Sequence, residues 1–251
     1  MDQTDRQLRF DVLNFWLDNC RPPTTQDLSA KSRRDESDVR RGLKCLEELH
    51  HLKLYGDEVP SPTPIAMAHP FSHLPTPYLV RAGERSWWAN CAWCAFGLAS
   101  MLYPDCRDDD DAAAVEVHAL TASSGSRVIR VDQDGRLRGA DSDGDGDGDG
   151  GSGRTDLQSY HVVFSAPPSR WWADVRFACS TIQLCATRGE AEAWHRRHGF
   201  HAGDVMSLAT LWELAKAWYH DKHKYQYERK TEEQKEALFK ELGLTSAYWS
   251  S

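Results

Sequence analysis

Near the start of the chain, Leu8, Phe10, Val12, Leu13, Phe15, Trp16 and Leu17 recur at helical spacing and predict a helix. Arg21-Pro22-Pro23 ends it, because proline cannot extend a helix. Thr24 or Thr25 then caps a short helix over 24–28. A third is predicted over 37–49, with Val39, Leu43, Leu46 and Leu49 on one face. Residues 51–55 alternate apolar and polar like a strand. Three helices and a strand make residues 1–58 resemble a small winged-helix module. Pro60, Pro62 and Pro64 then predict a stiff Pro-rich linker over 59–74.

Beyond residue 75 the pattern changes to short alternating runs mixed with helical ones. It predicts an extended segment and turn over 75–85, then a helix over 89–102 ended by Pro104. Strands are expected over 114–118, 127–131, 160–164 and 179–185, with a turn at Asp134-Gly135. Helices are expected over 188–194, 207–219 and 231–242. Thr231-Glu232-Glu233-Gln234 caps the last of these, and Gly243 follows it. The implied class is α+β: a helical module, then a mixed or antiparallel sheet core over 75–251 with flanking helices. Residues 141–153 are almost entirely Asp and Gly and read as a disordered insertion. Their Asp-x-Asp-Gly spacing is that of a calcium loop, without the closing Glu and flanking helices such a site needs.

Charge narrows the function classes. The net charge of -8 counts against a nucleic-acid partner. Residues 1–55 hold ten Lys or Arg and ten Asp or Glu, so the first module reads as a cap packed on the core rather than a DNA reader. No apolar run reaches the ~20 residues of a membrane span, and the polar N-terminus lacks a signal-peptide pattern. A cytoplasmic protein with reduced thiols is expected, with no membrane partner.

The candidate chemistry is in cysteine. Cys91 and Cys94 share one helix face in Trp88-Ala89-Asn90-Cys91-Ala92-Trp93-Cys94, and Cys179 lies in a similar apolar setting. Thiolates are soft ligands and strong nucleophiles, which suits a thiophilic metal. A redox pair and half a zinc site are competing readings of Cys-x-x-Cys. Cys20, Cys45, Cys106 and Cys185 read as small buried hydrophobes. His50, His51, His195 and His198 read as solvated or capping residues. His220 and His223, with Asp221, form a candidate surface metal site.

Pro75-Thr76-Pro77-Tyr78 through Trp88-Ala89-Asn90-Cys91-Ala92 resembles the alkylmercury lyase (organomercurial lyase) family. There, a Pro-Thr-Pro segment leads at the same spacing into an aromatic-Ala-x-Cys-Ala-x-Asp helix. A second family landmark is a cysteine on a strand, then a helix with Ala and Trp. Cys179, Thr181-Ile182-Gln183-Leu184 and Ala191-Glu192-Ala193-Trp194 resemble it. The resemblance implies protonolysis of a carbon–mercury bond. Cys91 would capture a small organomercurial and Cys179 would add a second sulfur. The third catalytic position, Asp in the family, falls on Cys94. Trp87, Trp88 and Trp93 would wall the organic group. No organic cofactor is implied; mercury is the substrate, and cellular thiols would accept the Hg(II). The Asp-to-Cys change leaves a second class open, a non-catalytic heavy-metal binder or sensor.

Overall fold

Helix α1 (Gln3–Asn19) starts where the Asp2 carboxylate accepts from the Asp5 N–H, and ends at Cys20 in the left-handed region. The structure, a computed structural model, describes residues 1–56, 58–103, 114–122, 125–139 and 157–250. Helix α2 (Thr25–Ser32) opens on a reciprocal box: the Asp27 N–H donates to Thr24 Oγ1 (3.0 Å) and the Thr24 N–H to Asp27 Oδ2 (2.8 Å). Thr24→Ala removes half of this box and is expected to lower stability by about 1 kcal/mol, read from a shifted denaturant midpoint at constant m. Helix α3 (Glu36–Glu48) buries Val39, Leu43 and Leu46, as its periodicity predicts.

Strand β1 (Lys53–Leu54) pairs with β2 (Ile65–Ala68), which pairs with β3 (Phe71–Ser72). Residues 65–72 had read as part of a linker. They are instead a buried antiparallel turn, and Pro60, Pro62 and Pro64 occupy only its approach. Apolar runs this short carry too little periodicity to be told from a linker beside prolines. Trp16 stacks on Phe71 (ring centroids 5.3 Å apart) and its carbonyl accepts from Trp87 Nε1. The helices and the sheets that follow thus share one hydrophobic interior.

The largest sheet is antiparallel, in the order β5-β4-β6-β7-β8. Its strands are β4 (Tyr78–Ala82), β5 (Arg85–Trp88), β6 (Val115–Thr121), β7 (Gly125–Val131) and β8 (Leu137–Gly139). Gly83, at φ +57°, supplies the left-handed turn between β4 and β5. Val80 lies opposite Trp87 on one side and Val117 on the other, and Val117 lies opposite Ile129. This column is buried throughout, as period-two patterning requires.

Helix α4 (Ala92–Leu102) is buried on every face. It is sandwiched between this sheet and α7 (Leu208–Tyr219), which explains an apolar composition with no polar stripe. A third sheet has β9 (His161–Phe164) between β10 (Gln183–Cys185) and β11 (Asp204–Ser207), with α6 (Arg188–His198) against it. Helix α8 (Glu232–Glu241) carries the predicted capping box of Thr231 and Gln234.

One predicted strand is corrected. Residues 175–180 form α5 (Val175–Ser180), a short helix opened by the Asp174 carboxylate accepting from the Phe177 N–H (3.0 Å). Only Gln183–Cys185 are extended. Cys179 therefore lies on a helix's last turn, not on a strand. The β-branched Thr181-Ile182 pair suggested a longer strand, and the Asp cap overrides it locally. Pro104, Cys106 and the run 141–153 lie outside the described residues. Among those described, no helix is long and apolar enough to cross a membrane.

Candidate active site

Cys91 is the N-cap of α4, three residues beyond the last residue of β5. Its sulfur accepts from the Cys94 N–H at 3.4 Å. Cys94 follows one turn on and sits 3.5 Å from the Tyr219 hydroxyl at the end of α7. Cys179 arrives from α5, and the backbone joins the two helices where the Ala92 N–H donates to the Ile182 carbonyl (3.3 Å). Cys91, Cys94 and Cys179 lie close enough to shift one another's titration. The three predicted thiols, 88 residues apart at their extremes, thus meet in one buried cluster.

A fourth group joins them. His69, on the turn between β2 and β3, places Nε2 at 3.4 Å from the Cys179 sulfur. The ligand atoms of His69, Cys94 and Cys179 all lie within 4.8 Å of one another, a donor set suited to a soft ion. It is the one such group of three among the described residues. His220 and His223 do not form the surface site considered for them: His220 Nδ1 lies 2.7 Å from the Ser100 carbonyl. His51 and His195, expected in solvent, are buried, and His50 stacks on Trp172. Cys185 is buried as expected, but Cys20 is exposed and Cys45 half-buried, with its sulfur 3.2 Å from an Asp5 carboxylate oxygen.

Cys94, Cys179 and His69 border a narrow cleft of about 60 Å³ that is partly open to solvent. Cys91 supports the cluster without itself bordering this cleft. The apolar wall is Trp93, Trp171, Trp172 and Trp218. Trp93 lies 5.2 Å from both Trp171 and Trp218, ring centre to centre. Of the three tryptophans assigned to this wall from sequence, only Trp93 stands there. Trp87 is core, and Trp88 pairs with Leu79 in the sheet.

Burial by itself would raise every thiol here. For Cys94 that penalty is outweighed by hydrogen bonds from Cys179 and Cys91, by His69 and by the Tyr219 hydroxyl, so its pKa falls well below the ordinary thiol value. Cys91 is pushed up by burial and by its two sulfur neighbours. At Cys179 a hydrogen bond with Cys91 pulls downward, but Cys94 and burial outweigh it and the pKa rises. The physical content is one negative charge on three sulfurs: Cys94 ionises first, and a second anion beside it is costly. Burial also holds the His69 imidazole down to about 4, so it is neutral near pH 7.

Sequence reasoning missed His69, Tyr219 and Lys222. His69 stands alone between Ala68 and Pro70, with no spacing partner. Lys222 lies in Tyr219-His220-Asp221-Lys222-His223, which reads as solvated surface, yet it is buried against the cleft. Burial pushes its pKa down to about 7, against the opposing pull of Cys94. Buried Arg9 explains the placement: its guanidinium donates to the carbonyls of Lys222, Lys224 (2.5 Å) and Tyr225 (3.2 Å). Asn14 adds a bond to the His223 carbonyl at 2.9 Å. The inner face of α1 thereby holds the loop that closes the cleft.

An α+β fold that buries three sulfurs and an imidazole under a tryptophan-walled cleft defines a protein of soft-metal thiol chemistry. The family model described as alkylmercury lyase matches residues 71–141 and 149–220, more than half of the chain. The chain belongs to the alkylmercury lyase family. The match breaks within the Asp/Gly run and includes Cys91, Cys94 and Cys179. Among solved structures, the mercury-bound form of MerB2 is similar at TM-score 0.59 and 18% identity, over 88% of this chain and 98% of that one. This likeness supports the fold. No curated protein matches the chain.

Proposed function

We propose that this protein cleaves carbon–mercury bonds of small organomercurials by protonolysis, releasing a hydrocarbon and Hg(II). The observation that carries the reading is the convergence of Cys91, Cys94 and Cys179 beside one apolar cleft. The Cys94 thiolate, lowest in pKa and bordering the cleft, captures the R–Hg unit. The neighbouring thiol of Cys179 then gives its proton to carbon as its sulfur bonds mercury. The C–Hg electron pair becomes the C–H bond, and mercury stays in the +2 state between two sulfurs. Cys91, beside both, supplies a third sulfur and a reserve proton. Thiols and a proton suffice for this step, and cellular thiols then remove the Hg(II). A cytoplasmic site of action fits this dependence on reduced thiols.

Cysteine at position 94, where the family has Asp, favours a second reading, retention of mercury without cleavage. Incubation with methylmercury and excess thiol, followed by headspace analysis for methane, separates the two. Catalytic methane supports the lyase, and stoichiometric mercury binding without methane supports the binder. Cys94→Asp restores the family pattern and keeps two sulfurs. It removes the thiolate that captures mercury in the step above, so methane release is expected to fall about 10²-fold or more, with weaker retention of Hg(II) because a soft ligand is lost. Release near the native rate would mean that Cys91 or Cys179 captures the mercurial instead.

A further inference from the structure

The chain carries a net charge of -8, yet no carboxylate borders the sulfur cleft. Four cations do: Lys222, Arg229, Lys230 and Lys235. Lys222 is buried, with its ammonium 5.2 Å from the Tyr219 ring centre, and the Arg229 guanidinium lies 5.8 Å from that of Trp172. Among the described residues, neither these two nor Lys230 forms an ion pair with a carboxylate. Lys235 is paired with Glu232 (2.5 Å), while Asp221 pairs with Lys224 (2.6 Å) and Glu228 with Arg6 (3.1 Å), both off the cleft. A cleft with low-dielectric walls and charges of one sign concentrates ligands of the opposite sign. Lys222 faces the Cys94 thiolate across this cleft, and once mercury neutralises that sulfur the buried ammonium is left for an anion that arrives with the ligand.

We propose that the cleft selects mercurials carrying a carboxylate, with mercury on the sulfur cluster and the carboxylate at Lys222 and the Arg229–Lys230 rim. The carboxylate has two possible sources, the organic group or the thiol that carries the mercurial. The selectivity deepens the lyase reading but concerns capture, which needs no bond cleavage.

The test measures capture and cleavage separately. Capture is followed by quenching of tryptophan fluorescence in stopped flow, since four tryptophans border the site. Cleavage is followed by hydrocarbon release. One arm compares 4-mercuribenzoate with phenylmercury. The other compares methylmercury delivered as its 3-mercaptopropionate adduct with its 2-mercaptoethanol adduct. Capture of the anionic member of at least one pair is expected to be about tenfold faster at low salt, and the ratio should shrink at about 0.5 M salt. The arm that shows the preference identifies the source of the carboxylate.

Lys222→Met and Lys230→Gln should each reduce that ratio at least about threefold, while Lys44→Ala, on exposed α3, should leave it intact. Lys230 is only half-buried, so its variant tests the idea even if Lys222→Met does not fold. Equal capture within both pairs, or a ratio unmoved by both variants, overturns the proposal. Selective capture without hydrocarbon would refute the lyase reading and leave the anion preference standing. Unselective capture with hydrocarbon would do the reverse.

Discussion

Cys91→Ala and Cys179→Ala are each expected to lower hydrocarbon release by about 10²–10³-fold or more, while the protein stays folded. Cleavage needs an anionic sulfur to bind mercury and a second sulfur to stabilise it as carbon leaves. It also needs a proton delivered to that carbon. In the proposed step Cys179 would serve the last two needs, and its loss also frees His69 Nε2. Cys91 acts differently: it does not border the cleft, but its hydrogen bonds help hold Cys94 as the thiolate. Without it the Cys94 pKa should rise toward the ordinary thiol range. The two variants therefore separate by pH. Residual capture by Cys91→Ala should increase with pH as Cys94 ionises, because the variant is protonated where the native site is already anionic. Cys179→Ala keeps more of the thiolate but lacks the second sulfur, so alkaline pH should not restore release. Circular dichroism and denaturation midpoints check the fold. Full turnover by both variants would refute the proposed chemistry.

Gly97→Ala should produce the second large effect, one helical turn beyond Cys94 on α4. A Cβ on Gly97 would meet the Tyr219 ring at 2.3 and 2.6 Å, closer than real side chains approach. Helices α4 and α7 touch there, and Tyr219 is fully enclosed. Relief requires either separating the helices or moving the ring, and the latter withdraws the hydroxyl from Cys94. Overpacking of this kind costs about 1–3 kcal/mol, enough to shift a denaturation midpoint clearly. The Cys94 pKa should rise because one of its hydrogen-bond partners moves away, and thiolate absorbance titration would show it. A variant with native stability and an unchanged thiol titration would contradict the close packing.

Much of the architecture was legible because it is written in local patterns. The Thr24 and Thr231 boxes, the heptad-like faces of α1 and α3, and the alternation of β6 and β7 require only neighbours within a few residues. Cys91 and Cys94 were also legible, since i and i+3 share a helix face and Pro75-Thr76-Pro77 marks the family. Where local signals competed, the reading slipped. Prolines concealed the strands at 65–72, and β-branched residues after Cys179 concealed the helix that carries it. Trp87 and Trp93 are six residues apart and equally aromatic. One lies in the core and the other on the cleft because a strand and a helix face different neighbours.

From the sequence alone came the residue types able to hold mercury and the α+β class. Tertiary structure decided the rest: that His69 and Tyr219 complete the sulfur cluster, that Cys91 stands behind it, and that Lys222 is buried at its edge. The physical reason is that pKa, access and ligand geometry depend on groups brought together through space. Arg9 holding the 222–225 backbone from 213 residues away leaves no local signature, because its hydrogen bonds go to carbonyls that every residue type carries.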